Sequence, residues 1–268
     1  MSNIQLDNIS YDYTVQQNNF TALQDVSLEI KEGEFVSIIG PSGCGKSTLL
    51  SLLVGLQAPS AGCILLDGEP LQGTGKERGT VFQHYSLFPW MSAKKNIIFG
   101  IQQVNPKLGK KAMSNLADEY LELVELKDAA HKYPGQLSGG MQQRVAIARA
   151  FAMDPKILLM DEPFGALDTK NRVALQEVLL QLRDSGKERK TVVFITHDVD
   201  EAILLSDKII VMNSKPGRIA AEVQVPFERP RNRASLVGSP RYMELRNNLV
   251  SRFYDDLIER IGGDEVVL

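Results

Sequence analysis

The sequence is poor in several features, and each shortage removes a class of protein. Two cysteines, Cys44 and Cys63, are too few in 268 residues for a disulfide framework, so free thiols in a reducing compartment are expected. No apolar run approaches the roughly 18 residues that a membrane-spanning helix requires. The longest runs, at 157–160 and 192–195, have the length of buried strands. The first residues lack the basic start and apolar centre of a secretory signal. Neither sign of charge dominates, and a net charge of −3 argues against a domain held on nucleic acid by charge. There is no internal repeat, no low-complexity segment and only one tryptophan, Trp90. What remains is a chain 43% hydrophobic and 24% charged, enough for one or two domains with an ordinary buried core.

The patterning alternates along the chain. Short strands are expected from Ile4 to Ile39, with apolar residues at Leu23, Val26, Leu28 and Ile30 and a turn at Lys31-Glu32-Gly33. The polar residues 15–19 read as a loop. A helix follows Gly45 with Leu49, Leu50, Leu53 and Leu56 on one side, and strands return at 63–66 and 79–82. From about Pro89 to Ala152 the chain is mostly helical, including a helix opened by Pro106 and Lys107 whose apolar side is Leu116, Tyr120, Leu121 and Val124. Strands at 157–160, 192–195 and 209–212 then alternate with helices at 170–183 and 199–205. Such alternation implies a mainly parallel, covered sheet, interrupted by the helical middle. The expected division is a catalytic core at 1–88 and 153–212, a helical subdomain at 89–152 and an extension at 213–268. In the extension, Lys215-Pro216-Gly217 marks a turn. Arg229, Arg231 and Arg233 read as a solvated basic loop, with contact to acidic lipid as the alternative. Ser239 and Pro240 open an amphipathic helix with Tyr242, Leu245, Leu249, Phe253, Leu257 and Ile261 on one face, ended by Gly262-Gly263.

Chemistry enters at Gly40-Pro41-Ser42-Gly43-Cys44-Gly45-Lys46-Ser47-Thr48, which satisfies G-x-x-x-x-G-K-[ST] between an expected strand and an expected helix. Glycines let successive N–H groups curl round an anion, and the helix beginning near Lys46 adds its positive end. Lys46 is placed to reach the β- and γ-phosphates of a nucleotide and the Ser47 hydroxyl to ligate Mg²⁺. A carboxylate must complete that metal site. Asp161, at the end of the apolar run 157–160, supplies it, and the adjacent Glu162 can act as general base on an attacking water. A second glycine-rich segment, Leu137-Ser138-Gly139-Gly140-Met141-Gln142-Gln143-Arg144, opens another helix with Ser138 as N-cap. Taken alone, it is either a second anion-binding helix end or a capped helix with a flexible entry.

Together these segments resemble the motifs of ATP-binding-cassette (ABC) ATPases. The family's order is followed by the phosphate loop, Gln83, the Leu137–Gly140 signature, Asp161-Glu162, Asp168 and His197. The resemblance implies a P-loop NTPase core with a mixed, mainly parallel sheet, an N-terminal antiparallel β segment and an inserted α-helical subdomain. It also implies a head-to-tail dimer in which the phosphate loop of one copy and Ser138, Gly139 and Gly140 of the other enclose each ATP. Gln83 is then expected at Mg²⁺ or the attacking water, His197 on the γ-phosphate and Asp168 at the dimer seam. The family often has Ser where Gly165 stands. An aromatic on adenine is expected upstream of the loop; Tyr13 matches that place better than Tyr11, with a core role as the alternative. Cys44, inside the loop near helix N–H groups, is expected to have a lowered pKa and to be alkylated. His84 and His131 read as ordinary surface or helix-end histidines.

The loop Leu87-Phe88-Pro89-Trp90 admits two readings, local packing or a groove for a short helix of a membrane partner. The resemblance favours the groove, and with it a subunit on the cytoplasmic face of the membrane, docked on a separate permease served by an external solute-binding protein. With Phe164-Gly165-Ala166-Leu167-Asp168 and Lys215-Pro216-Gly217-Arg218-Ile219, the loop is similar to that of the nitrate/sulfonate/taurine group of importers. The alternative class, a soluble ABC ATPase of repair or translation, calls for tandem cassettes or coiled-coil insertions. A GTPase calls for Asn-Lys-x-Asp, which is absent.

Overall fold

The computed structural model describes residues 3–15, 18–83, 86–165, 167–184, 189–214, 216–231 and 233–263. Its elements in chain order are β1 (Ile4–Val15), β2 (Asn18–Ile30), β3 (Phe35–Ile39), α1 (Lys46–Val54), β4 (Ala61–Leu66), β5 (Glu69–Pro70), β6 (Arg78–Val81), α2 (Ala93–Val104), α3 (Lys110–Leu123), α4 (Gly139–Ala152), β7 (Ile157–Asp161), α5 (Thr169–Asp184), β8 (Thr191–Ile195), α6 (Val199–Leu205), β9 (Lys208–Asn213), β10 (Arg218–Gln224), α7 (Arg233–Val237) and α8 (Pro240–Gly263). Strands apolar at nearly every position form the centre, because a parallel strand covered on both faces has no side to give to water. The central sheet has the order β10-β9-β3-β8-β7-β6, parallel except for β10. All five residues of β3 and of β8 are buried. A second, antiparallel sheet, β2-β1-β4-β5, lies over it, and α1 shares the core between them.

The other face of the central sheet packs against α4 and α5 through Phe35, Phe164, Phe194, Leu175 and Leu179. Helices α2 and α3 with part of α4 enclose an apolar core of their own around Ile97, Leu121 and Val145. Among the described residues no helix is long and apolar enough to cross a membrane.

Several expectations need correcting. The hairpin is longer than the polar loop at 15–19 suggested, since β1 runs to Val15 and β2 begins at Asn18. Leu23 and Val26 are both buried despite their odd spacing, because Asp25 takes φ +51° and the ladder shifts register there. Pro106 does not open a helix. It keeps Asn105 out of the α region, which stops α2, and the chain restarts only at Lys110. The tail contributes β10 to the sheet, where alternate half-buried and exposed residues fit an edge strand. Lys215, His84, Tyr85, Ala166 and the side chains of Phe253, Leu257 and Ile261 lie outside the described residues.

The basic loop is not solvated. The Arg231 side chain is almost wholly buried and donates to the carbonyls of Ile203 (2.9 Å), Leu204 (3.1 Å) and Ser206 (2.6 Å) at the end of α6. Unpaired helix-end carbonyls suit a cation. Arg229 bonds the Leu205 carbonyl and, through Nε, Asp207 Oδ1 at 2.8 Å. Asp207 also accepts from the Phe35 N–H (2.9 Å) and the fully buried Arg183 (3.0 Å). Burial alone would raise its pKa. The Phe35 N–H, Arg229 and Arg183 outweigh that and hold the carboxyl below the usual range.

A depressed carboxyl stabilises the fold at neutral pH, and this contribution is lost as the pH falls below about 4 and through the folded value. Asp207→Asn is therefore expected to cost roughly 2 kcal/mol near neutrality, with the difference from the parent narrowing below about pH 4. Urea unfolding across that range is the check.

Candidate functional site

Strands β3, β7 and β8 end side by side, and each delivers candidate residues at its C-terminal end. This is where ligands bind in sheets of this kind. After β3 the chain turns through Gly43 (φ +79°) and Gly45 (φ +88°) into α1. A Cβ on Gly45 would lie 2.6 Å from Leu23 Cδ2 and 2.9 Å from the Ala22 carbonyl, so the turn is closed to any other residue. Gly45 is the N-cap of α1; no side chain caps the helix and no acid lies in its first turn. The positive helix end is left for a ligand. Lys46 spans the loop, with Nζ 2.7 Å from the Gly40 carbonyl and 3.0 Å from that of Pro41.

At the end of β7, Asp161 is half-buried beside the Ser47 hydroxyl. Burial raises its pKa, against the opposing influence of Ser47 and Lys46. A desolvated carboxylate beside a hydroxyl is an all-oxygen donor pair that fits a hard divalent cation. Glu162 follows with φ +43°, an uncommon conformation for this residue type, and its N–H is fixed on the Ile195 carbonyl at 3.0 Å. Its Oε2 lies 3.3 Å from Nδ1 of His197, beyond the end of β8, whose side chain is 61% exposed.

The loop and Glu162 line a cavity of about 350 Å³ that includes Ser42, Gly43, Gly45, Lys46, Ser47 and Thr48, whereas Asp161 and His197 are not in its lining. Its far wall is aromatic. The Tyr13 hydroxyl is 3.2 Å from Thr48 Oγ1, whereas Tyr11 packs against the core. Phe20, paired with Tyr13 across the hairpin and 54% exposed, lines the same wall. Sequence reasoning missed Phe20, because only the hairpin register places it there. It also missed Gly217, whose N–H and carbonyl bond Ala22 O (3.0 Å) and Gln24 N (2.9 Å), pinning β2 beside the loop.

Gln83 stands exposed beyond β6 and does not line this cavity. Cys44 departs from expectation. Its side chain is fully buried in the core, and burial raises the thiol pKa despite the pull of Lys46, 3.8 Å away.

Ser138, Gly139 and Gly140 lie elsewhere. Ser138 caps α4 by accepting the Met141 N–H at 3.3 Å. With Gly140, Arg144, Lys170 and Asn171 it borders a separate cavity of about 420 Å³ that shares no residue with the first. Arg144 binds Glu125 Oε2 (3.0 Å) and Asn171 Oδ1 (3.2 Å). The exposed Asp168 accepts from the Asn171 N–H at 3.1 Å, and this bonding lowers its pKa.

The aromatic loop divides between its two readings. Phe88 is packed, its ring 4.7 Å from Phe99 and 5.6 Å from the Arg149 guanidinium. Trp90 is 69% exposed. The loop's geometry depends on the buried Asn96, which accepts the Phe88 N–H (2.9 Å) and donates to the carbonyls of Phe88, Met91 and Ser92.

Comparison with known proteins places the chain in a family and the fold among solved structures. The family model described as ABC transporter matches residues 23–165. The nitrate import ATP-binding protein NrtD of Synechococcus elongatus is 44% identical over 252 residues, covering 94% of this chain and 91% of that protein. The nitrate transport protein NasD of Klebsiella oxytoca is 44% identical over 254 residues, 94% of this chain and 96% of that one. The dimeric post-hydrolysis structure of the ATP-binding cassette MJ0796, bound to ADP and Pi, superposes with a TM-score of 0.76 at 35% identity, covering 84% of this chain and all of that one.

The two thiols are expected to differ sharply toward an alkylating reagent at neutral pH. The exposed Cys63 is modified and the buried Cys44 is not until the chain unfolds. Peptide mapping after timed labelling distinguishes them; early modification of Cys44 would contradict the burial described.

Proposed function

The chain belongs to the ABC transporter family and is an ATPase, and from that membership we propose that it energises an import complex by binding ATP between two copies of itself. One observation carries the reading. The chain offers two helix ends suited to phosphate, at Gly45 and at Ser138, but in two cavities with no common residue. A two-fold dimer would bring the Ser138 end of one copy onto the γ-phosphate held by the loop of the other. The dimeric ADP-bound cassette MJ0796 supports that assembly.

In this reading the adenine stacks on Tyr13 and Phe20, and the N–H groups of residues 42–48 receive the phosphates. Lys46 leaves its two carbonyls for the β- and γ-oxygens. Glu162 accepts the proton of the attacking water as the bond from the γ-phosphorus to the bridging oxygen breaks. His197 hydrogen-bonds the γ-phosphate, while Asp168 meets the partner copy. Ser47 and Asp161 would hold Mg²⁺, with Gln83 linking that position to the helical insertion. The ion supplies charge neutralisation on the β- and γ-phosphates.

Trp90 and the apolar cavity beside Phe88, also about 350 Å³, form the proposed seat for a permease at the cytoplasmic face of the membrane. An external binding protein would deliver the solute. Nitrate is named for both relatives, and nitrate or a similar small solute such as a sulfonate or taurine is the proposed cargo.

Glu162→Gln is expected to slow hydrolysis at least ~100-fold while keeping ATP binding. With ATP it should therefore accumulate as a dimer in light scattering, and adding Ser138→Asp should return it to monomer. Dimerisation indifferent to ATP or to Ser138→Asp would sink the shared site. Lys46→Ala is expected to weaken ATP binding on the order of 10-fold or more, measured by calorimetry. In vesicles carrying the permease, Trp90→Ala should abolish uptake with ATP affinity intact.

A further inference from the structure

The turn carrying His197 is held from beneath by a carboxylate outside the motifs considered so far. Glu201, in the first turn of α6, is only 6% exposed. Its Oε2 accepts the Thr196 hydroxyl at 2.7 Å, and its Oε1 accepts Nε2 of Gln176 at 3.0 Å. The Thr196 oxygen in turn accepts the Asp198 N–H at 3.0 Å. Arg172 of α5 completes the cluster, 3.7 Å from Glu201 Oε1 and 3.3 Å from Asp198 Oδ2. Both neighbours of His197 are thus bound into one network centred on the buried Glu201, while the imidazole itself is exposed.

The cap of α6 does not require this carboxylate. Asp198 already caps α6 by accepting the N–H groups of Asp200 (2.9 Å) and Glu201 (3.1 Å). Burial pushes the Glu201 carboxyl up, the mark of a charge kept out of water, against the pull of Thr196, Arg172 and Gln176. Arg233 of α7 bonds Gln176 from the far side, so the extension braces the same cluster.

We propose that Glu201 is a positioning residue for ATP hydrolysis, fixing through Thr196 the reach of His197 toward the γ-phosphate. The inference rests on the role proposed above for His197. Saturation kinetics of phosphate release from the full-length chain test it. Glu201→Gln keeps the volume but removes the charge and one acceptor, and is expected to lower kcat on the order of 10-fold with KM for ATP held within about 2-fold. In a His197→Ala background the same substitution should cause no further loss. Thr196→Val, which removes the hydroxyl at nearly constant size, should reproduce the loss, and Thr196→Ser should restore activity. If Glu201→Gln does not fold, the Thr196 pair answers the same question. Equal losses with and without His197, or a change confined to KM, would overturn the inference alone. An unimpaired His197→Ala would overturn the role of His197 and the inference with it.

Discussion

A helix end holds an anion best where the backbone around it is bare and its charge is not already neutralised by the protein. Both conditions meet at Gly45. Its left-handed conformation starts α1 without a capping side chain, and Ala22 and Leu23 press so closely on it that nothing larger fits. The rest of the molecule serves that turn. β3 delivers the loop, β7 delivers Asp161 and Glu162, and β8 delivers the turn with His197, all from the C-terminal ends of neighbouring strands in one sheet. β2 closes the far side with Phe20 and is itself held in place by Gly217.

The extension is part of the fold. β10 lengthens the central sheet, Arg231 and Arg229 close the last carbonyls of α6, and Tyr242 and Arg246 of α8 both reach Asp200 in its first turn, at 2.7 and 2.9 Å. The short helix beside His197 is therefore gripped at both ends by residues that come after it in the chain. A tail so engaged bears on the same turn that the nucleotide would meet.

Much of this was legible in the sequence. Continuous apolar runs at 157–160 and 192–195 identify central strands because such runs have few other stable places, and the phosphate loop is fixed by backbone geometry that only glycine permits. Ser138 followed by two glycines likewise declares a helix start. What escaped the sequence depended on pairing between distant segments. Phe20 belongs to the cavity only through its register with Tyr13. The arginines of the tail resemble a solvated loop until the carbonyl end of α6 and Asp207 are placed beneath them. Cys44 sits in a loop whose backbone faces the ligand while its side chain faces the core, so exposure of the loop said nothing about the thiol. Glu201 is one of several acids in an ordinary helix pattern, and only burial separates it from the others.

Asn96 has a mechanical consequence. One side chain on α2 takes both the N–H and the carbonyl of Phe88 and the carbonyls of Met91 and Ser92, so the segment bearing Trp90 has no hinge between itself and the helix. Any rotation of the helical layer relative to the sheet would carry the backbone that bears Trp90 with it. A tooth cut on the rim of a rigid wheel delivers torque in this way, and stiffness at Asn96 would set how much of each stroke arrives.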